Sequence, residues 1–176
     1  MHTPDFSLTL STASDAHAIK NLWPLYLHDI SEFDRRVPNA HGVIGDTDQP
    51  TRWGGPGEAW WKNPEALFPY IVRVGDSVAG FNLIAGGPYV PDEAIDYTVH
   101  EFFIVQAFRG TDVAQRAAQE GIEKHRGRWE VLTYPNGPRQ VAFWRKTLAT
   151  CATSEVDERV KQLELGQKTV FRFSNA

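Results

Sequence analysis

The sequence predicts an α/β protein with a central, mixed and mostly antiparallel twisted sheet that carries helices on both faces. Three apolar runs separated by turn residues, at 70–74, 78–85 and 97–105, are typical of an antiparallel meander. The rest of the chain alternates helix, strand and helix and ends in a hairpin. A meander followed by this alternation indicates a mixed sheet covered by helices on both faces.

The elements before the meander are a strand and a helix. Apolar and polar residues alternate at 6–10, which predicts the first strand, β1. Ser14-Asp15 offers an N-cap for a helix whose apolar residues recur at helical spacing over 19–30. Pro24 lies inside this pattern, and we expect it to kink the helix or to split it.

A turn motif and a run of small residues at helical spacing predict the elements that follow. A Gly-Asp-Ser turn at 75–77 joins the second strand, β2 (70–74), to β3 (78–85) as a hairpin. After β4 (97–105), small residues over 113–122 form a narrow stripe that is typical of a helix packed closely on a sheet. The remaining predicted elements are a strand, β5, at 129–134, a helix at 138–150 and two closing strands near 154–163 and 168–173.

Composition narrows the class of protein. The chain has 176 residues with ordinary apolar and charged fractions, which indicates one globular domain with a real core. Its formal net charge of −4 argues against a general nucleic-acid binder. No apolar run approaches the roughly 18 residues of a membrane span, and the N-terminus has no secretory signal. Because Cys151 is the single cysteine and the histidines lack ligand spacing, we expect a cytoplasmic protein without disulfide or metal.

An irregular segment at 35–63 interrupts the pattern, since Pro and Gly recur too often for one continuous element. The segment nevertheless holds Trp53, Trp60 and Trp61, and side chains this large are seldom left in water. Long loops in compact domains are often functional. Two interpretations stay open: a wall of a binding site with a short helix near 56–62, or a surface loop whose tryptophans pack into the core.

The most informative stretch is 97–118, YTVHEFFIVQAFRGTDVAQRAA. An apolar strand leads directly into an Arg-Gly turn, and the turn leads into a helix of small residues. The free N–H groups at the helix N-terminus and the helix macrodipole together favour an anion there. The pattern is typical of a site for a phosphorylated cofactor. The alternative is a capped helix that packs on the sheet and binds no ligand.

Five segments together resemble the Gcn5-related N-acetyltransferase (GNAT) superfamily. They are VAGF (78–81), HEFFIV (100–105), RGTDVA (109–114), GRWEV (127–131) and VAFWRK (141–146). The resemblance covers nearly the whole chain. It implies a single acetyltransferase domain over 1–176, strands β4 and β5 that splay apart, and acetyl-CoA as cosubstrate without a metal.

The resemblance also implies which residues hold acetyl-CoA. In the family, the pantetheine arm lies between β4 and β5 and hydrogen-bonds to the β4 backbone, as an added strand does. By position, Phe103 and Val105 would supply those backbone groups, with Ile104 between them. The pyrophosphate would bind the loop formed by Arg109, Gly110, Thr111, Asp112, Val113 and Ala114.

Asp112 departs from the family pattern, which has a glycine at this position. Glycine lets backbone N–H groups approach the pyrophosphate without a Cβ in the way, whereas Asp adds a side chain and a negative charge. Two like charges at roughly 4 Å repel by about 4 kcal/mol at an effective dielectric constant near 20. Asp is also a good N-cap, so its carboxylate can occupy the N–H groups that a phosphate needs. Arg109 and Arg116 offset part of the repulsion.

Family members usually carry an Asn after β5 and a Tyr on the next helix, where the Tyr protonates the departing thiolate. Asn136 lies near the first position, and Trp144 stands at the second. An indole has no useful pKa, so Trp144 is not that acid. It either borders the cofactor or packs in the core. Tyr134, at the end of β5, is the candidate acid.

Glu101 is the candidate general base, because the attacking amine must be neutral. Alternation along β4 places Glu101 on the same face as Phe103 and Val105, and it places His100 on the opposite face. Partial burial beside the thioester would raise the pKa of Glu101 toward a useful value. The alternative is a hydrogen-bonded structural carboxylate.

The leading hypothesis is an acetyl-CoA-dependent N-acetyltransferase that transfers the acetyl group directly to a small amine. The alternative is a protein of the same fold that binds a ligand or partner without catalysis, which Asp112 and Trp144 favour. We expect no nucleic-acid or membrane partner, and we allow for a homodimer.

Overall fold

The computed structural model describes residues 5–44, 56–164 and 166–176. Within them, seven strands form one sheet in the order β1-β2-β3-β4-β5-β7-β6, flanked by four α-helices. The strands are β1 (Phe6–Leu10), β2 (Leu67–Val74), β3 (Ser77–Gly86), β4 (Tyr97–Ile104), β5 (Arg128–Thr133), β6 (Asp157–Leu163) and β7 (Gly166–Ser174). The helices are α1 (Ala16–Asp34), α2 (Ala59–Lys62), α3 (Val113–Glu123) and α4 (Pro138–Cys151). The predicted α/β class is confirmed.

Strands β4 and β5 are the parallel neighbours in an otherwise antiparallel described sheet. Residues 97–99 of β4 pair with residues 129–131 of β5. Beyond Val99 this pairing stops, although β4 continues to Ile104 and β5 to Thr133. The mixed sheet and the splayed β4 and β5 strands are therefore confirmed.

Two apolar layers cover the faces of the sheet. Helices α3 and α4 pack on one face, in a core that includes Trp129, Phe171 and Trp144. Helices α1 and α2 pack on the other face, over Phe81 and Phe103. The second half of β4 is thus enclosed by α1 on one face and by the α3–α4 pair on the other.

Helix α1 is one continuous helix of 19 residues that contains Pro24, so the proline does not split it. The helix ends at Asp34, and Arg35 follows in the left-handed conformation at φ 61°. A left-handed residue is a common way to stop a helix and turn the chain. No helix in the described ranges, α1 included, has the combined length and apolarity that a bilayer crossing requires.

A β-bulge interrupts the ladder between β3 and β4. The register shifts next to Leu83, which lies opposite Glu101, and it leaves His100 as the extra residue. His100 Nδ1 therefore lies 3.7 Å from Glu101 Oε1, and the His100 ring lies 5.4 Å from the ring of Trp60, centroid to centroid. The prediction that His100 points away from the Glu101 face is wrong, because a bulge breaks the period-two alternation.

The short helix expected near 56–62 is present as α2. Trp60 is buried in the core layer under α1. Trp61 is half-buried and donates its indole N–H to Ser11 Oγ at 3.1 Å. Both tryptophans contribute to packing, in line with the second of the two interpretations. Trp53 lies outside the described residues.

An aromatic cluster encloses His125, which follows the end of α3. The His125 ring lies 4.2 Å from the Phe68 ring and 4.9 Å from the Tyr97 ring, centroid to centroid. Its Nε2 shares a hydrogen bond of 2.9 Å with Tyr70 Oη. Burial lowers the pKa of His125 to about 4, and Lys124 acts in the same direction. The imidazole is therefore neutral in the folded protein at neutral pH.

We expect His125 to make folding less favourable in mild acid. Its pKa is about 4 in the folded chain and near 6.5 in the unfolded chain, so the unfolded chain binds more protons between these values. Stability that is present above the unfolded pKa is lost as the pH falls toward the folded pKa. The thermal midpoint should drop more steeply from about pH 7 to about pH 5 in the wild type than in His125→Gln, whose amide can still bond Tyr70. Calorimetry measures both slopes.

The matched control is His17→Gln, because His17 is an exposed histidine on α1. This control should keep the wild-type slope. If His125→Gln and the wild type showed equal slopes, His125 would not titrate between the two states in the stated range.

Candidate active site

The gap between β4 and β5 exposes backbone polar groups of β4. Val105 N–H donates to Ala79 O at 2.8 Å, so the backbone groups of Val105 face β3. By alternation those of Phe103 face β3 too, and those of Phe102 and Ile104 face the gap. The expectation that Phe103 and Val105 offer free backbone groups to a bound arm is therefore wrong. Successive residues of a strand direct their backbone N–H and C=O groups to opposite edges. The expectation was therefore wrong by one residue along β4.

Arg109 joins the end of β4 to α1. Its Nε donates to Ile104 O at 2.7 Å, and its guanidinium forms an ion pair with Asp29. The guanidinium also lies over the Phe103 ring, 5.5 Å from the centroid. These contacts are structural, and phosphate binding by Arg109 stays a prediction.

The loop before α3 is exposed over residues 109–112. Gly110 has φ 78°, a left-handed conformation that favours glycine. Asp112 occupies the N-cap position but makes no capping hydrogen bond, and its exposed carboxylate lies 3.8 Å from Arg116. Thr111 Oγ1 instead accepts a hydrogen bond from Val113 N–H at 3.3 Å. The expected competition of Asp112 for the helix N–H groups is absent, although its charge lies at the helix start.

Helix α4 supports β4 through aromatic packing. Trp144 is 5% exposed, and its ring lies 5.5 Å from that of Phe102 and 5.1 Å from that of Phe143. The Phe143 ring stacks on Phe102 at 5.7 Å. The structure thus places Trp144 in the core, as the packing interpretation expects. Asn136 is exposed in the turn before α4.

Glu101 lies on the α1 face of β4, with its side chain 25% exposed. Tyr26 Oη of α1 donates a hydrogen bond to Glu101 Oε2, and the Tyr26 ring packs on Phe103 at 6.0 Å. Burial raises the pKa of Glu101 to about 8, and the positive charge of Lys168 opposes the shift. Both forms of this carboxyl are therefore populated near pH 8, as a general base requires.

Tyr134 lies just after β5 and contacts the end of α1. Its ring stacks on Phe33 at 5.5 Å, and its Oη donates to Asp34 Oδ2 at 3.3 Å. Burial raises the pKa of Tyr134 to about 12, and Asp34 adds to the shift. The phenol therefore keeps its proton at neutral pH and can act as a donor.

Lys168 of β7 is a site residue that sequence reasoning missed. It is 9% exposed, and its Nζ lies 3.1 Å from the centroid of the Tyr134 ring. The pair Thr133–Thr169 places Lys168 beside Tyr134 across the β5–β7 ladder. Alternation along β7 places Lys168 on the face opposite Phe171. The sequence does not predict that β7 pairs with β5, so it could not place Lys168 beside Tyr134.

These residues form one group, which we call the α1-face cluster: Tyr26, His100, Glu101, Tyr134 and Lys168. The charge of Lys168 lowers the pKa of Glu101, and the charge of Glu101 raises that of Tyr134. The two candidates that the sequence proposed, Glu101 and Tyr134, are therefore brought together at the splayed strands. The arrangement can accept a proton on one side and offer an O–H group on the other.

A separate cavity of about 220 Å³ lies beside the start of α1. Trp60 and Trp61 line it together with residues of β1 and β2 and the segment after β1. Trp60 also contacts His100, so it lies between this cavity and the α1-face cluster. A role of the tryptophans as an acceptor wall stays a prediction.

Comparison with known proteins identifies the fold. No protein-family model and no curated protein matches the chain. Among solved structures, an acetyltransferase from Thermus thermophilus matches with a TM-score of 0.61 and 14% identity, over 99% of each chain. Ribosomal-protein-S5-alanine acetyltransferase from Vibrio fischeri matches at 0.60 and 15%, over 99% of this chain and 96% of its own. Spermidine N-acetyltransferase from Vibrio cholerae matches at 0.61 and 10%, over 97% and 95%.

These structures match this chain over nearly its whole length but share little sequence with it. The resemblance drawn from the sequence motifs is confirmed for the fold, including the parallel, splayed β4–β5 pair. The chain has the acetyltransferase fold of the GNAT superfamily.

Proposed function

We propose that this protein is an acetyl-CoA-dependent N-acetyltransferase that transfers the acetyl group directly to a small amine. The observation that carries the proposal is the position of Glu101, a carboxyl with a raised pKa beside the gap between β4 and β5. Structures of the same fold support it. The Vibrio cholerae enzyme was solved with CoA and spermine, and aminoglycoside acetyltransferase AAC(6')-Ib with coenzyme A and kanamycin.

The residues around the gap fit CoA. The backbone groups of Phe102 that face the gap can bond an extended arm, as an edge strand does. The start of α3 offers N–H groups that no Asp112 cap occupies, and Gly110 brings the loop close without a Cβ. The charge of Asp112 is the one feature that opposes a pyrophosphate. When bound, acetyl-CoA supplies an activated thioester.

Glu101 would take the proton of the amine. Its raised pKa makes the ionised form a stronger base than an ordinary carboxylate, and the Tyr26 hydroxyl fixes its orientation. His100 lies next to Glu101 with half of its side chain exposed, so it offers a route for that proton to solvent. On the other side of the gap, Tyr134 keeps its proton and is the candidate donor to the leaving group.

The second candidate function is ligand or partner binding without catalysis. The observation that favours it is the buried Trp144, because α4 then presents no hydroxyl where the family's tyrosine is expected. Calorimetric titration with acetyl-CoA, followed by an amine panel read by thiol release, separates the two. Binding with release supports the enzyme, whereas binding without release on any amine supports the binder.

We expect Glu101→Gln to lower turnover about 100-fold or more while acetyl-CoA affinity stays nearly unchanged. The amide is isosteric but cannot accept the proton. In the wild type, kcat/KM should rise as the pH increases through about 8, because the ionised carboxyl is the active form. Steady-state thiol release across this range measures both effects.

The matched control is Glu123→Gln, which removes an exposed carboxylate at the end of α3. This variant should show the same dependence of kcat/KM on pH as the wild type. Parallel losses of acetyl-CoA binding and turnover in Glu101→Gln would instead mark Glu101 as a structural carboxylate.

We expect Asp112→Gly to raise acetyl-CoA affinity about tenfold, equivalent to ~1.4 kcal/mol. The change removes a negative charge and a Cβ beside the helix start. It should cost little stability, because Asp112 makes no capping hydrogen bond and its ion pair with Arg116 is exposed. Titrations at low and high salt should show the gain shrinking as the charge is screened.

Asp112→Asn separates the two causes, since it removes the charge and keeps the Cβ. A gain in both variants assigns the effect to charge. Unchanged affinity in both would show that the Asp112 carboxylate does not act on the phosphates.

A further inference from the structure

Lys168 is a buried cation, and the described part of the chain offers it no ion-pair partner. Among residues 5–44, 56–164 and 166–176, no carboxylate forms an ion pair with it and no oxygen accepts a hydrogen bond from its Nζ. Its Nζ lies over the face of the Tyr134 ring, 3.1 Å from the centroid. With 9% of the residue exposed, the ammonium is largely removed from water. Burial of an unpaired charge is costly, so an anion at this place would be strongly favoured.

Two carboxyl groups act on Lys168 electrostatically, but neither forms an ion pair with it. Asp34 acts on Lys168 electrostatically, but its carboxylate is held by Arg36 at 2.5 Å and 2.7 Å. Glu101 acts on Lys168 as well, yet burial keeps much of this carboxyl protonated at neutral pH. At neutral pH the described groups of the cluster therefore carry more positive than negative charge.

Lys168 carries that charge on the α1 face of the sheet, the face that also carries Glu101. Tyr134 and Lys168 are neighbours across β5 and β7, on the α1 face. Glu101 lies on the same face of β4, across the splayed gap, and the charges of Lys168 and Glu101 influence each other. An acceptor whose amine contacts Glu101 would present its other substituents toward Lys168.

Resting on the proposed function, we propose that Lys168 is the anion-binding group of the acceptor site and that the acceptor is a small amine that also carries a carboxylate, as a free amino acid does. The amine of such a molecule contacts Glu101, and its carboxylate pairs with the Lys168 ammonium. A charge-assisted hydrogen bond of this kind is about twice as strong as a neutral one. A lysine that merely packs on Tyr134 would not distinguish a carboxylate from an uncharged group of the same shape.

Paired acceptors test this distinction. Each amino acid is compared with its primary amide, which has nearly the same shape and no negative charge; the pairs are glycine, alanine, phenylalanine, glutamate and β-alanine. Thiol release from acetyl-CoA gives kcat/KM for each member. In the wild type, at least one pair should favour the carboxylate about tenfold or more. Lys168→Met should bring that ratio close to one, and Lys168→Arg should retain part of it.

The matched control is Lys146→Met, which removes an exposed lysine on α4, on the opposite face of the sheet. Its carboxylate-to-amide ratio should equal that of the wild type. A wild-type ratio near one for all pairs, or a ratio that Lys168→Met leaves unchanged, overturns the inference while the acetyltransferase activity stands.

Direct binding keeps the test informative if no thiol is released. Calorimetric titration of the same amino acids and amides into the protein, with and without CoA, measures their affinity independently of acetyl transfer. Preference for the carboxylates that Lys168→Met abolishes supports the inference. Equal or absent binding of both members overturns it. Failure of the proposed function is seen separately, as the absence of both acetyl-CoA binding and thiol release.

Discussion

The early end of the β4–β5 ladder is the constraint on which the rest of the site depends. Backbone groups of β4 beyond Val99 have no partner strand on that side, and buried groups of this kind need another partner or water. Arg109 satisfies Ile104 O, and its ion pair with Asp29 ties that edge to α1. The groups of Phe102 are left for water or a ligand. The same opening that costs the sheet hydrogen bonds therefore creates the place where an extended molecule can bind.

The two faces of the sheet carry different kinds of side chain. The α3–α4 face is apolar, and aromatic rings such as Phe102 and Trp144 hold the unpaired part of β4 in place. The α1 face carries the α1-face cluster, and the bulge adds His100 beside Glu101. Burial beside aromatic rings then shifts the pKa values of Glu101 and Tyr134 upward. The α3–α4 face thus supports β4 through packing, and the α1 face carries Glu101 and Tyr134.

Asp112 lies at the start of α3, where the proposed pyrophosphate site would be. Asp112 does not cap the helix, because its carboxylate lies near Arg116 instead of over the helix start, and Thr111 Oγ1 accepts the Val113 N–H instead. Arg116 itself is held against the Phe6 ring at 4.2 Å, so this countercharge is anchored to β1. For the proposed pyrophosphate site, the negative charge of Asp112 is unfavourable, whereas the absence of an Asp112 cap is favourable.

The order of elements, the class of fold and the candidates Glu101 and Tyr134 followed from the sequence alone, because periodicity, turns and local motifs are properties of neighbouring residues. Other features depend on contacts between distant segments. The bulge that turns His100 toward Glu101 is a register shift against β3, and the free backbone groups of Phe102 are set by the same register. The place of Lys168 beside Tyr134 follows from the insertion of β7 between β5 and β6. No local pattern encodes which strands become neighbours, so the tertiary structure alone decided these contacts.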